Sequence, residues 1–223
     1  LAQLQALMDA GLTGQPQVAA LETHWSRGAD YYAVPWRGTW QGENGGAVLG
    51  HAIHNHDLLT HFFGPVAKVS ASLTTRVNPI ETEDCAALQF QMANGAVATS
   101  SVTLGAAGDE TRIRFVFEKL TATSGSAPYA PGMDAWTFTA RDPADQGAVA
   151  KVLAKTAAGP TGFDGFLAAV GRALNGDPRD AVDLASGRAS IELVSAIYKS
   201  HQTGQMVTLP LNDGDPYQKG WQP

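Results

Sequence analysis

With 223 residues, 44% of them hydrophobic and 16% charged, the chain has an ordinary globular composition and enough length for one large domain or two small ones. A formal charge of −6 argues against nucleic acid and against an anionic membrane surface, both of which select basic faces, and no apolar run is long enough for a membrane span. The single cysteine, Cys85, excludes an intrachain disulfide, fits a reducing cytoplasmic setting, and is expected to act as a small buried hydrophobe.

Leu1, Leu4, Leu7 and Met8 recur at helix spacing, and Gly11 can close that helix. The chain enters on this helix with no initiator Met and no signal-peptide shape, so it reads as a piece of a longer protein. Gln17–Trp25, with β-branched and aromatic residues, reads as a strand. Residues 27–44 are rich in Gly, Tyr, Trp and Pro without a period and read as a long loop. Gly50–Phe63 reads as a helix closed by Gly64. From Val66 the period changes to two. Val66–Val77 is a strand, and Asp84–Ala93 and Ala96–Leu104 form a pair joined by Asn94-Gly95, a strong hairpin signal. Thr111–Thr123 and Trp136–Ala140 are further strands. Ala144–Gly162 reads as a flexible small-residue connection. Helices follow at Phe163–Leu174 and at Asp183–Gln202, the latter with an Asp start and a Gly204 stop, and Met206–Leu211 is a closing strand.

Strands linked by hairpins, with helices toward both ends of the chain, imply an α+β fold: a large, mostly antiparallel open sheet with helices on one face. A sheet of this size with apolar residues on both sides needs cover, so a homodimer or higher oligomer through the sheet face is expected.

The stretch from Gly45 to Gly64 holds four of the six histidines, His51, His54, His56 and His61. On a helix His54, Asp57 and His61 fall together beside the apolar arc, His51 leans toward it, and His56 points away from His54. No zinc signature such as H-E-x-x-H is present, and His51 and His54 alone would need further ligands from elsewhere. His56 and His61 are expected to be structural, and because His56 points away from His54, His56→Ala should do little to turnover. The preceding loop gathers Tyr31, Trp36, Arg37 and Trp40. Aromatic faces with a few polar groups suit a sugar-like ligand, and these four are expected to wall a cleft beside His54.

The stretch "RGADYYAVPWRGTW…GGAVLGHAIHNHDLLTHFFGPVAKVSA" resembles the substrate domain of the glucose-fructose oxidoreductase/inositol dehydrogenase/MocA family. "DLASGRASIELVSAIYKSHQTGQMVTLPL" is similar to that family's last helix and closing strand, and "LMDAGLTGQP" to the segment after its nucleotide-binding domain. The resemblance implies a C-terminal substrate-binding and dimerisation domain over residues 1–223, with a Rossmann domain missing upstream. It implies NAD or NADP as hydride carrier in the longer protein, none held by this fragment, and a sugar or polyol as substrate. The family motif GGGxLxDxGxHxxDL, aligned on Gly45-Gly46 and Asp57-Leu58, puts the catalytic acid–base on His54. Imidazole suits removal of a hydroxyl proton as an alcohol is oxidised. The family's aspartate falls on Gly50, and His51 is the candidate to replace it. Asp57 is a candidate to contact substrate or fix the imidazole tautomer, with backbone capping as the structural alternative. No G-x-G-x-x-G follows a strand, so this fragment alone should neither bind dinucleotide nor turn over. Two other readings stay open: a stand-alone module that binds a sugar-like ligand, and a metal-dependent enzyme using His51 and His54.

Overall fold

The structure, a computed structural model, describes residues 1–157, 159–177 and 182–223. Helix α1 (Ala2–Asp9) buries Leu4 and Leu7 and leads into strand β1 (Pro16–Ser26). Two single helical turns, α2 (Ala29–Tyr32) and α3 (Trp40–Glu43), interrupt the expected long loop. A π-helical turn, Val48–Ala52, then opens helix α4 (Ile53–Phe63), and Gly64, at φ 82°, ends it. The meander β2 (Val66–Thr74), β3 (Cys85–Met92) and β4 (Val97–Thr103) follows, with Asn94-Gly95 at its second turn. Thr111–Thr123 is not one strand. It holds the end of β5 (Gly105–Phe117) and the start of a hairpin to β6 (Leu120–Thr123), because Glu118 and Lys119 turn and bond back to Gln15 and Thr13. Strand β7 is Thr137–Ala140.

The small-residue stretch expected to be a connection contains a formed helix, α5 (Gln146–Lys155), which packs on α1 and buries Val149. Helix α6 (Gly162–Leu174) forms where its period indicates, yet Phe163, Phe166, Leu167 and Leu174 lie exposed and only Ala169 is buried. Helix α7 (Leu184–Thr203) is capped by the Asp183 side chain and stopped by left-handed Gly204. The closing strand shrinks to β8 (Val207–Thr208), paired with β2.

The eight strands make one mixed sheet in the order β7-β6-β5-β1-β4-β3-β2-β8. Every described neighbour pair is antiparallel except β1 with β4. That parallel pair follows from the crossover through the loop and α4, which returns the chain across the sheet before the meander begins. One sheet face buries Leu21, Leu88, Phe90, Val102, Ile113 and Phe115 beneath α4 and α7.

The opposite face is not apolar, contrary to expectation. Val18 and Val97 are exposed there, but Gln89, Thr99, Ser101, Arg112 and Arg114 dominate. Period-2 alternation is strict in β3 and β4, so their outward positions took polar residues. Cys85 is half-buried near this face, its Sγ 3.3 Å from Thr103 Oγ1, rather than a core residue.

Candidate active site

The entry to the histidine helix is built by two glycines and a buried carboxylate. Glu83 is 5% exposed and accepts from Gly46 N (3.0 Å), Val48 N (2.9 Å) and Tyr198 OH (2.8 Å). Its backbone carbonyl accepts from Ala47 N at 2.8 Å. The first amides of a helix lack internal partners, and a carboxylate there satisfies them with favourable polarity. Burial pushes the Glu83 carboxyl up, against the amide and hydroxyl donors that favour its anion. A Cβ on Gly46 would collide with the Glu83 carbonyl, and one on Gly45 would sit 2.6 Å from Tyr198 OH. The two glycines are therefore required by close approach. Trp40 joins this brace: it packs edge-on to Tyr198 at 5.9 Å, and Trp221 stacks on Tyr198 at 5.2 Å. Trp40 thus lies with the helix entry, apart from the other loop aromatics.

The π turn then presents His51. Its ring meets Trp25 edge-on at 5.1 Å and lies 6.3 Å from Tyr31, and its Nδ1 is buried with no partner among the described residues. Burial first, then the positive fields of Arg27 and Arg37, push this imidazole down to about 4, so it is neutral near pH 7. π turns often occur at functional sites, and this one widens the helix at the residue that faces the cluster.

Two arginines flank the site. Arg27 lies 5.2 Å from the rings of Trp25 and of Tyr31, and its Nη1 bonds both oxygens of Asp109 at 3.1 Å. Tyr129 OH donates to Asp109 and accepts from Arg27 Nη2 at 3.2 Å. Arg37 stacks on Tyr31 at 4.0 Å and on Trp36 at 4.6 Å and donates to Tyr31 OH. Tyr31, Trp36 and Arg37 therefore form one continuous stack that Tyr31 joins to His51.

His54 and Asp57 are exposed on α4. His54 is one turn beyond His51 and close enough for its charge to depress His51 further. Asp57 is held by Ser190 Oγ of α7 at 3.2 Å rather than by His54. His61 is exposed beside Phe62. His56 is 2% exposed: its Nε2 bonds Ser100 Oγ at 3.0 Å, its ring packs on Phe90 at 5.3 Å, and burial pushes it down to about 4. Its neighbour Asn55 bonds Thr23 Oγ1 at 2.7 Å. The buried face of α4 is thus partly polar, and His56 is a packed, hydrogen-bonded residue whose truncation would cost stability. Among the described residues no group of three or more His, Cys, Asp or Glu is placed to hold a metal ion.

A cleft of about 680 Å³ opens on the other flank of α4, against α7. Ile53, His56, Asp57 and Thr60 line it, and His51 and His54 do not. The chemistry-bearing cluster lies instead at the end of β1, the π turn and the loop beyond Arg27. Sequence reasoning missed Arg27, Asp109, Tyr129 and Glu83. Arg27 sits where a strand meets a long loop, a common functional position. Asp109 and Tyr129 carry no local signal, being 82 and 102 residues from Arg27.

The profile described as the GFO/IDH/MocA C-terminal domain matches residues 1–123. The chain belongs to this family. A comparison with curated proteins gave no match. Among solved structures, the WlbA dehydrogenase from Bordetella pertussis, in complex with NADH and UDP-GlcNAcA, is 28% identical with a TM-score of 0.73. That alignment covers 94% of this chain and 60% of WlbA. The aldose-aldose oxidoreductase from Caulobacter crescentus, complexed with glycerol, has a TM-score of 0.71 at 17% identity, covering 93% of this chain and 60% of that one. A levoglucosan dehydrogenase complexed with NADH has a TM-score of 0.66 at 18% identity, covering 95% and 63%. At 17–18% identity the last two share the fold. This GFO/IDH/MocA domain thus spans about 60% of the length of these structures.

Proposed function

We propose that this domain binds the substrate of an NAD(P)-dependent oxidoreductase that acts on a hydroxyl of a sugar, polyol or related compound, with His54 as the acid–base. The family match together with His54's place carries the reading. His54 falls on the catalytic histidine when the sequence is aligned by its resemblance to the family motif, and it lies on the exposed side of α4, one turn from His51. The NADH and UDP-GlcNAcA of the WlbA complex agree with this substrate class.

The described residues do not fit a dinucleotide. The sheet has one parallel pair, and neither of its strands turns through a glycine-rich loop into a helix N-terminus. Any nicotinamide cofactor would be held by a domain outside these residues, and this chain's own side chains handle the substrate and its proton. The Tyr31–Arg37–Trp36 stack offers ring faces and donors to a sugar-like ligand, and His54 exchanges the hydroxyl proton. His51, kept neutral by burial, packs edge-on to Trp25 and beside Tyr31 at the inner end of this stack.

The test is steady-state turnover of the enzyme completed by its nucleotide-binding domain, with sugar and polyol substrates and both nicotinamide cofactors. His54→Ala should lower kcat by about 10²–10⁴-fold with an unchanged melting temperature. Near wild-type turnover would remove His54 from the chemistry and make His51 the better candidate.

A further inference from the structure

The two arginines of the site differ in how fully the protein uses them. Arg27 is tied to the protein through both terminal nitrogens: Nη1 donates to both Asp109 oxygens and to the Ser26 carbonyl, and Nη2 donates to Tyr129 OH. Its role is to tie the end of β1 to Asp109 and the Tyr129 loop. Arg37 makes one hydrogen bond, from Nη1 to Tyr31 OH. Its nearest carboxylate oxygen, Glu43 Oε1, lies 3.7 Å away, beyond hydrogen-bond range, and the other Glu43 oxygen accepts from Gly38 N. Among the described residues nothing else accepts from the Arg37 fork. The guanidinium carbon lies over two rings, 4.0 Å from the centre of Tyr31 and 4.6 Å from that of Trp36, and the side chain stays 27% exposed, so it is braced while still open to a ligand.

We propose that Arg37 is an anion anchor, and that the substrate of this site is a sugar acid or related hydroxy acid whose carboxylate docks on the Arg37 fork. The proposal rests on the reading of this chain as the substrate domain of a sugar oxidoreductase. A planar guanidinium with parallel N–H groups to spare matches a carboxylate bidentately, a geometry that Lys cannot offer. Stacking removes the entropy that a free arginine loses on binding. Each arginine has a carboxylate partner, Asp109 at 3.1 Å from Arg27 and Glu43 at 3.7 Å from Arg37, but only the first is within hydrogen-bond range, so the Arg37 N–H groups keep donor capacity that Glu43 does not use. A neutral sugar would leave the fork unmatched, whereas a carboxylate would complete it.

The 223-residue chain is titrated with D-glucuronate and with D-glucose, which differ at C6, and binding is followed by ¹⁵N chemical shifts. Glucuronate should bind at least about ten-fold tighter, with the largest shift at Arg37 Nε. Arg37→Gln should bring the two affinities together, and Arg37→Lys, which keeps the charge without the fork, should retain part of the preference. Thermal melts of both variants separate loss of the anchor from loss of the fold. Equal affinities, no binding of either sugar, or a preference that survives Arg37→Gln in a folded variant overturns the anchor. Turnover in the enzyme completed by its nucleotide-binding domain separates the two levels. Equal kcat/KM for glucose and glucuronate removes the anchor and leaves the oxidoreductase reading standing. Glucuronate binding at Arg37 without turnover of any sugar by either cofactor removes that reading and leaves the anchor.

Discussion

His56 should make the domain acid-labile in a defined window. Its imidazole is buried, bonded to Ser100 through Nε2, and its pKa is pushed from 6.5 down to about 4 by burial. A histidine depressed in the native state binds protons first in the unfolded chain. Stability is therefore fully present above about pH 6.5, falls as pH drops from there to about 4, and changes no further below that. At pH 5 the proton-binding factor of the unfolded imidazole exceeds the native one about 30-fold, which corresponds to about 2 kcal/mol; at pH 7 the same difference is about 0.2 kcal/mol. His56→Gln keeps a hydrogen-bonding group toward Ser100 but cannot titrate. Urea unfolding of both proteins at pH 7 and pH 5 measures the difference directly. Wild type should lose about 2 kcal/mol more than the variant over this interval, and because His51 is common to both proteins its contribution cancels. Equal losses would show that His56 is protonated in the native state and that the reasoning from its burial is wrong.

Tyr198→Phe removes one of the donors to the buried Glu83 carboxylate and should cost about 1–3 kcal/mol in urea unfolding; a change below about 0.5 kcal/mol would mean that solvent reaches Glu83. The open sheet face is polar apart from Val18 and Val97, which pair in register and are 47% and 43% exposed, so any association through it should rest on these two and be abolished by Val18→Lys with Val97→Lys in sedimentation velocity. A wild-type chain that is already monomeric at micromolar concentration would remove that face as an interface.

Elements with strong local signals were legible in the sequence. Gly11, Asn94-Gly95, Asp183 and Gly204 mark ends and turns through backbone chemistry that acts within a few residues, and each stands at its expected boundary. The parallel pairing of β1 with β4 was hidden, since register between strands about 80 residues apart leaves no local trace. Helix α5 did carry a local signal, helix formers with Val149, Val152 and Leu153 at i, i+3 and i+4, but the small residues, Gly and Pro around it drew the whole stretch into a loop reading; its packing on α1 shows the helix. Around the candidate site, the Tyr31–Trp36–Arg37 stack lies within one loop and could be anticipated as a group. The separation of Trp40 could not, because it depends on Tyr198 and Trp221, more than 150 residues further along. Hydrophobic periodicity also assigned Asn55 and His56 poorly, since a buried polar residue with a partner on the sheet looks like a solvent-facing one in sequence.

Those two buried polar contacts explain how the histidines acquire different environments. Successive residues on a helix are turned by about 100°, so fixing the rotation of α4 fixes every side chain on it. Apolar packing from Leu59, Phe62 and Phe63 would tolerate some rolling of the helix on the sheet, because dispersion contacts are not directional. The bonds from Asn55 to Thr23 on β1 and from His56 to Ser100 on β4 are directional, and they pin the helix to two adjacent strands. At the N-terminal end, Glu83 holds the amides of Gly46 and Val48 and sets where the π turn begins. With both ends of the segment fixed, His51 must turn toward Trp25 and Tyr31, and His54 must face outward. The two glycines, the buried glutamate and the polar underside of α4 are thus one device. It fixes one imidazole beside the arginine-aromatic cluster and leaves the other open to solvent, one helical turn away.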